Sequence, residues 1–250
     1  MALLPAAASA FQPLVTDDTG TQGAGANQIE AAYNRTVDRV SGTREVTQAA
    51  PLVFTRGVTD ALDLHAGAGY QRIAAAAPAA EERGWSNTAV GAKFRFYKDE
   101  VRKLSFALKP EVRFPVSKDK EARRLGTARN SYGAGFLLTQ ETDFGAVHAN
   151  LAAERVSYAD DALNAAERRV LYRLSVAPVW DVAQDWKLAL DAGLVTNPDR
   201  SATARMGYVE LGAIHSPGKD LFLAVGMVRK LMDGSPHTTQ TTVGLSWRFR

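Results

Sequence analysis

The sequence contains no cysteine. Disulfide stapling and thiolate metal sites are therefore excluded, and the absence suits a chain exported through an oxidising compartment, where a stray thiol is a liability. No stretch approaches the roughly 18 apolar residues that a membrane-crossing helix needs. The longest bland run, 73–80, is alanine-rich and broken by Pro78. A helical membrane protein is thus excluded. A barrel is not, because alternating strands average to an unremarkable mean hydropathy, here −0.19. Charge of one sign is also scarce: 30 Lys and Arg stand against 27 Asp and Glu. The basic residues are scattered rather than interleaved with aromatics, so no nucleic-acid partner is expected.

What is present is alternation. Between Lys103 and Phe114, Leu104, Phe106, Leu108, Pro110, Val112 and Phe114 share one face, while Ser105, Ala107, Lys109, Glu111 and Arg113 share the other. A period of two is the mark of a strand. The same cadence returns around Phe94, Phe136, Leu151, Leu174, Leu190, Val225 and Leu245, with weaker copies at 27–34, 44–56, 61–72 and 206–215. Together these predict about twelve strands. Tight polar turns (57–60, 98–102, 142–145, 181–185, 216–220) alternate with longer loops (35–43, 73–85, 115–129, 158–167, 195–205, 229–238). Short turns on one side, long loops on the other and an even strand count describe an all-β, up-and-down antiparallel transmembrane barrel with both termini in the periplasm.

A soluble barrel would point its apolar face inward instead. Two patterns favour the membrane arrangement. The polar face mixes small residues with charges of both signs, the texture of a wet lumen: Glu30, Asp63, Lys93, Arg95, Lys109, Glu111, Arg113, Glu154, Arg169, Arg173, Lys187 and Asp191 are expected to line it. Aromatics gather near strand ends. Phe94, Phe96, Trp180, Trp186, Trp247 and Phe249 would form a periplasmic girdle, with Tyr70, Phe114, Tyr132 and Tyr172 towards the opposite rim. The last strand ends Trp247-Arg248-Phe249-Arg250, close to the terminal aromatic signal of outer-membrane barrels, from which Arg250 departs.

Three segments follow. Residues 1–10 end in Ala8-Ser9-Ala10 and read as a signal-peptide remnant. Residues 11–23, too polar for a lipid-facing strand, form a periplasmic segment, and residues 24–250 form the barrel. Adjacent carboxylates at Asp17 and Asp18 face a lumen in which basic groups outnumber acidic ones, so this segment is expected to fold into the periplasmic mouth as a plug, with Asp17 or Asp18 paired to a lumen Lys or Arg. Two further expectations concern detail. A five-residue turn at 181–185 makes Arg173 and Asp191 diagonal neighbours. A charge at outward Leu108 should be costly and one at inward Ala107 tolerated.

The stretch Pro13-Leu14-Val15-Thr16-Asp17-Asp18-Thr19-Gly20-Thr21-Gln22-Gly23, leading into Asn27-Gln28-Ile29-Glu30, resembles the start of a family of bacterial outer-membrane proteins named for the MetA pathway of phenol degradation and labelled transporters. The turn Gly57-Val58-Thr59-Asp60-Ala61-Leu62-Asp63-Leu64 and the strands Lys93-Phe94-Arg95-Phe96 and Pro110-Glu111-Val112-Arg113-Phe114-Pro115 are similar to it too. The resemblance implies an outer-membrane location, a barrel and a porin-like transport role.

Three function classes follow. The first is a channel or transporter for small solutes, aromatic or hydrophobic ones among them. The second is a structural or partner-binding barrel without an open pore. The third is a lipid-modifying enzyme, which needs a Ser/His pair with an orienting group. His65 and His148 read as lumen-facing, His237 lies in a loop and His215 sits beside a turn, so no triad emerges and no enzyme is expected. Asp63 and His65 share a face, but a hydrogen-bonded pair accounts for them, so neither metal nor cofactor is expected. The expected partners are membrane lipids and lipopolysaccharide, the latter through the loop Lys118-Asp119-Lys120-Glu121-Ala122-Arg123-Arg124.

Overall fold

The computed structural model describes residues 13–40, 43–74, 81–231 and 238–250; the signal remnant at 1–10 and His237 lie outside them. The alternating stretches become β1 (Asn27–Val40), β2 (Thr43–Gly57), β3 (Leu62–Ala74), β4 (Glu82–Trp85), β5 (Ala89–Asp99), β6 (Leu104–Arg113) and β7 (Ser131–Thr142). They continue as β8 (Gly145–Arg155), β9 (Val170–Ala183), β10 (Trp186–Thr196), β11 (Arg205–His215), β12 (Leu221–Leu231) and β13 (Thr239–Phe249). Both β4 and β5 pair with β3, through Tyr70↔Trp85 and Gly67↔Ala89, so they form one interrupted stave. Twelve antiparallel staves result, and pairing of β1 with both β2 and β13 closes the ring.

The barrel is inside out relative to a soluble domain. Leu52, Leu64, Leu108, Leu151, Leu174, Leu188, Leu211, Val225 and Val243 are exposed on the outer wall, while Glu30, Asp63, Asn150, Ser175, Asp191 and Glu210 are buried inside. Moving one large apolar side chain out of water contributes about 1.5–3 kcal/mol. A continuous apolar exterior therefore demands lipid around it, and closure removes the edges that hydrocarbon would not tolerate.

Several boundaries differ from the sequence expectation. The loop expected at 35–43 is largely strand, β1 running to Val40 and β2 starting at Thr43, and the first residues of the loop expected at 229–238 are strand, β12 running to Leu231. These strand ends carry polar residues on both faces, so alternation of hydropathy stops before the hydrogen-bonded ladder does. The loops after β6 and β8 carry short helices, α1 (Lys118–Ala122) and α2 (Asp161–Ala166).

The hairpin register also differs. The β9–β10 connection turns at Gln184-Asp185 with an irregularity at Trp186/Lys187, so Ser175 pairs with Gly193 and Arg173 with Val195. Arg173 and Asp191 are therefore not diagonal neighbours: three residues of the expected turn are strand and the irregularity takes one back, so the register moves by two and every side chain keeps its expected face. A second irregularity between Arg95 and Tyr97 lets Phe96 and Tyr97 both face outward.

Candidate functional site: the lumen and the N-terminal segment

Residues 13–26 precede β1 and lie inside the barrel. Gly23 and Gly25, at φ +83° and +81°, turn the chain from the lumen into β1 at the turn side. From there the segment crosses the interior, leaning on one wall strand after another. Ala24 N–H donates to Asp60 (3.0 Å) and Gln22 N–H to the Asp63 carboxylate (3.0 and 3.1 Å). Thr19 N–H donates to Thr139 Oγ1 (3.1 Å), and its hydroxyl meets Ser105 Oγ at 2.5 Å.

Asp17 sits at the centre. Its carboxylate lies 2.9 Å from Lys93 Nζ and 2.6 Å from Lys109 Nζ, and Asp18 lies 3.6 Å from Lys93. The Asn150 side-chain amide brackets the Asp17 backbone, accepting from its N–H (2.6 Å) and donating to its carbonyl (2.8 Å). Thr16 donates from its N–H and hydroxyl to Asp191 (2.6 and 2.9 Å), and the same hydroxyl oxygen lies 2.8 Å from Ser175 Oγ. Tyr208 donates to Asp191 (2.8 Å), and Val15 N–H to Glu210 (3.1 Å). Leu14 packs among Ala177, Val179 and Ala189, and Val15 against Val195, Met206, Tyr208 and Val228. Pro13 lies over Gly212 and Gly226, a facing pair on β11 and β12 where any Cβ would come within 2.7 Å of its ring.

The remaining residues expected in the lumen divide into groups. Arg113 joins Glu111 (3.0 Å) and Glu154 (2.6 Å) on the inner wall, with His65 Nε2 3.5 Å from Glu111. Glu30 and Asp191 are buried, and Arg173 points inward. Arg95 donates to the Asp60 carbonyl (2.7 Å) near the turn-side mouth. Two residues lie away from the interior. Arg169 is exposed beyond the start of β9, 3.4 Å from Ser157 Oγ, and Lys187 pairs with Asp181 (2.5 Å) at the turn-side rim. Ala107 is inward but fully enclosed at 0% exposure, so it offers no room for a charged side chain, contrary to expectation.

On the outer wall Phe94, Phe96, Trp180, Trp186 and Trp247 are exposed and Phe249 stacks on Trp247 at 4.7 Å. Phe94 pairs with Leu108, well up the strand rather than at its end. Phe96 packs with Phe106 and Phe136, forming an external aromatic cluster. His148 Nδ1 meets Thr139 Oγ1 at 3.0 Å, and His215 stacks on Trp186 at 4.5 Å. These two histidines are thus held by structural contacts.

On the long-loop side a different set joins neighbouring loops. Buried Glu121 accepts N–H bonds from Ala128 (2.6 Å), Ala159 (2.9 Å) and Asp160 (3.0 Å), joining the loops after β6 and β8. Burial and the nearby Glu167, Glu154 and Glu121 push the Tyr158 hydroxyl up to about 12, so it stays neutral among these acids. Arg123 pairs with Glu82 (2.6 Å) and Arg124 with Glu45 (2.7 Å), so two of the four basic residues in the loop expected to meet lipopolysaccharide are held by acids of the barrel.

Sequence reasoning missed Glu210, Tyr208, Asn150, Thr139, Ser105 and the glycine pair. Neutral polar and small residues on an inner face look alike in sequence; only the segment lying on them singles them out.

Residues 10–249 match the family model described as "Putative MetA-pathway of phenol degradation". Among solved structures the chain is similar to the COG4313 outer membrane channel from Pseudomonas putida F1, at 14% identity over 93% of this chain and 98% of that one, TM-score 0.77. It is also similar to the NanC porin (12% identity, 87% and 98% covered, TM-score 0.57) and to the KdgM porin in complex with oligogalacturonate (12%, 88% and 99%, 0.56). No curated protein sequence matches. The likeness shows the fold, a closed outer-membrane β-barrel, and these neighbours are a channel and porins rather than enzymes. Fold and apolar exterior together place the chain in the outer membrane.

Proposed function

We propose a transport role from a plain premise: the chain belongs to the family described for the MetA pathway of phenol degradation, matched over residues 10–249. The protein acts as an outer-membrane channel for small solutes, aromatic or hydrophobic ones among them, and its own N-terminal segment serves as a plug. The observation that carries this reading is Asp17, set between Lys93 and Lys109 inside the barrel. A barrel needing only a filled interior could use wall side chains. Here a separate segment supplies the filling, and a separate segment can leave. Twelve staves lie between the filled eight-strand barrels and the open porins, wide enough to hold one extended chain. No catalytic step enters this reading, and lipopolysaccharide is its outer-leaflet partner.

Deleting residues 11–20 tests it. The variant, shown to be folded by its heat-modifiable mobility, should conduct more than the full chain in planar bilayers, with charged and aromatic solutes distinguishing what passes. A folded deletion variant that stays closed would favour the structural, partner-binding barrel instead.

A further inference from the structure

We propose that Arg35, Arg39, Arg44 and Arg229 form a binding site on the outer wall for the phosphorylated headgroup of lipopolysaccharide. These four side chains, with Val37 and Thr239, line one concavity of ≈ 350 Å³. Alternation puts them outside. On β1, Glu30, Thr36 and Asp38 are buried and Tyr33 and Arg39 exposed; on β2, Thr47 and Thr55 are buried and Arg44 and Leu52 exposed; on β12, Val228 is buried and Met227 and Arg229 exposed. Register brings them together: Arg39 pairs with Arg44, Arg35 with Thr241, and Thr239 with both Val37 and Arg229.

Like charges directly across a strand pair destabilise it. Three other arginines on the long-loop side are answered by acids, Arg113 by Glu154, Arg123 by Glu82 and Arg124 by Glu45, and Arg95, Arg129 and Arg168 by backbone carbonyls. The four rim arginines have no carboxylate partner among the described residues. The nearby acids are engaged elsewhere, Asp38 with Thr238 on the inner side and Glu45 with Arg124. A cluster of unanswered guanidinium groups, each a planar fork of donors, suits phosphate.

The wall beneath identifies the source of that phosphate. Tyr33, Leu52, Val225, Met227 and Val243 are all exposed on the same outer face, an apolar track for acyl chains below the charged rim. A soluble phosphate would use the arginines without the track. The site stands at the end of the barrel opposite the C-terminus and the short turns, the side of the long loops and hence of the outer leaflet, where arginines cost little in the interface. The proposal rests on the outer-membrane reading and is independent of whether the lumen conducts.

Binding of purified rough lipopolysaccharide to the refolded full chain, measured by native mass spectrometry in detergent, tests it. Arg39→Gln with Arg44→Gln should weaken binding at least about tenfold, since charge-assisted hydrogen bonds to phosphate are lost. Arg39→Lys with Arg44→Lys should fall between, keeping charge but not the fork. Arg123→Gln with Arg124→Gln should change nothing. Dephosphorylated lipopolysaccharide should bind the unsubstituted protein no better than the Gln pair binds the intact lipid. Equal binding of phosphatidylglycerol, or effective competition by inorganic phosphate alone, would overturn the assignment, as would unchanged affinity in the Gln pair. Heat-modifiable mobility establishes that each variant is folded, and unaltered conductance separates failure here from failure of the channel reading.

Discussion

Asp17→Asn asks whether the N-terminal segment is held by charge. In the native protein one carboxylate answers two ammonium groups, at 2.9 Å for Lys93 and 2.6 Å for Lys109, whose side chains are only 13% and 12% exposed. The amide is nearly isosteric, so the Asn150 bonds to the Asp17 backbone survive, and what disappears is the charge. Two like charges then sit close together in an enclosed part of the lumen, where Asp18, 3.6 Å from Lys93, and the buried Glu30 remain as acids. Removing one partner of a buried pair costs about 3–5 kcal/mol. Asp18 and the remaining water reduce this, so about 2–4 kcal/mol is the reasonable range for the docked segment. The docked-to-released ratio should then fall by roughly 30- to 1000-fold, since each 1.4 kcal/mol is a factor of ten. Two assays read it: open probability in planar bilayers, and the rate at which a protease added on the periplasmic side cuts within residues 13–22. Both should rise. Adding Lys109→Met should restore docking in part, because one of the two mutually repelling charges goes with it. If Asp17→Asn leaves conductance and cleavage unchanged in a folded barrel, or if the two substitutions simply add, charge does not hold the segment and the reasoning fails.

Leu108→Arg puts a charge on the outer wall at a residue 45% exposed to lipid, and should destabilise the barrel in bilayers by about 2–4 kcal/mol in urea titrations. Ala107→Arg should also be damaging, but by expelling what surrounds it, and so even in detergent. Gly226→Ala places a Cβ 2.7 Å from Pro13, which should loosen the upstream end of the segment and speed its proteolysis while leaving the barrel's thermal transition nearly unmoved.

The facing of residues was legible in the sequence because it is local. A strand turns successive side chains to opposite sides whatever it pairs with, so Leu108 outward and Lys109 inward follow from order alone, as do about twelve staves from counting the alternating runs. Charge complementarity, too, is a property of composition along a face, and it pointed from Asp17 or Asp18 to the basic groups of the lumen; which acid meets which lysine was decided by the fold. Where hydropathy ceased to alternate, the sequence fell silent: the polar ends of β1, β2 and β12 read as loop because they stand clear of hydrocarbon, although their ladders continue. Register was decided only in three dimensions. A tighter turn and the irregularity at Trp186/Lys187 together move Arg173 from Gly193 to Val195, a change that leaves period and polarity untouched. The same holds for the bed of the N-terminal segment. Asn150, Ser175, Glu210 and the Gly212–Gly226 pair come from strands far apart in the chain, and closing the ring is what brings them around one short stretch of residues.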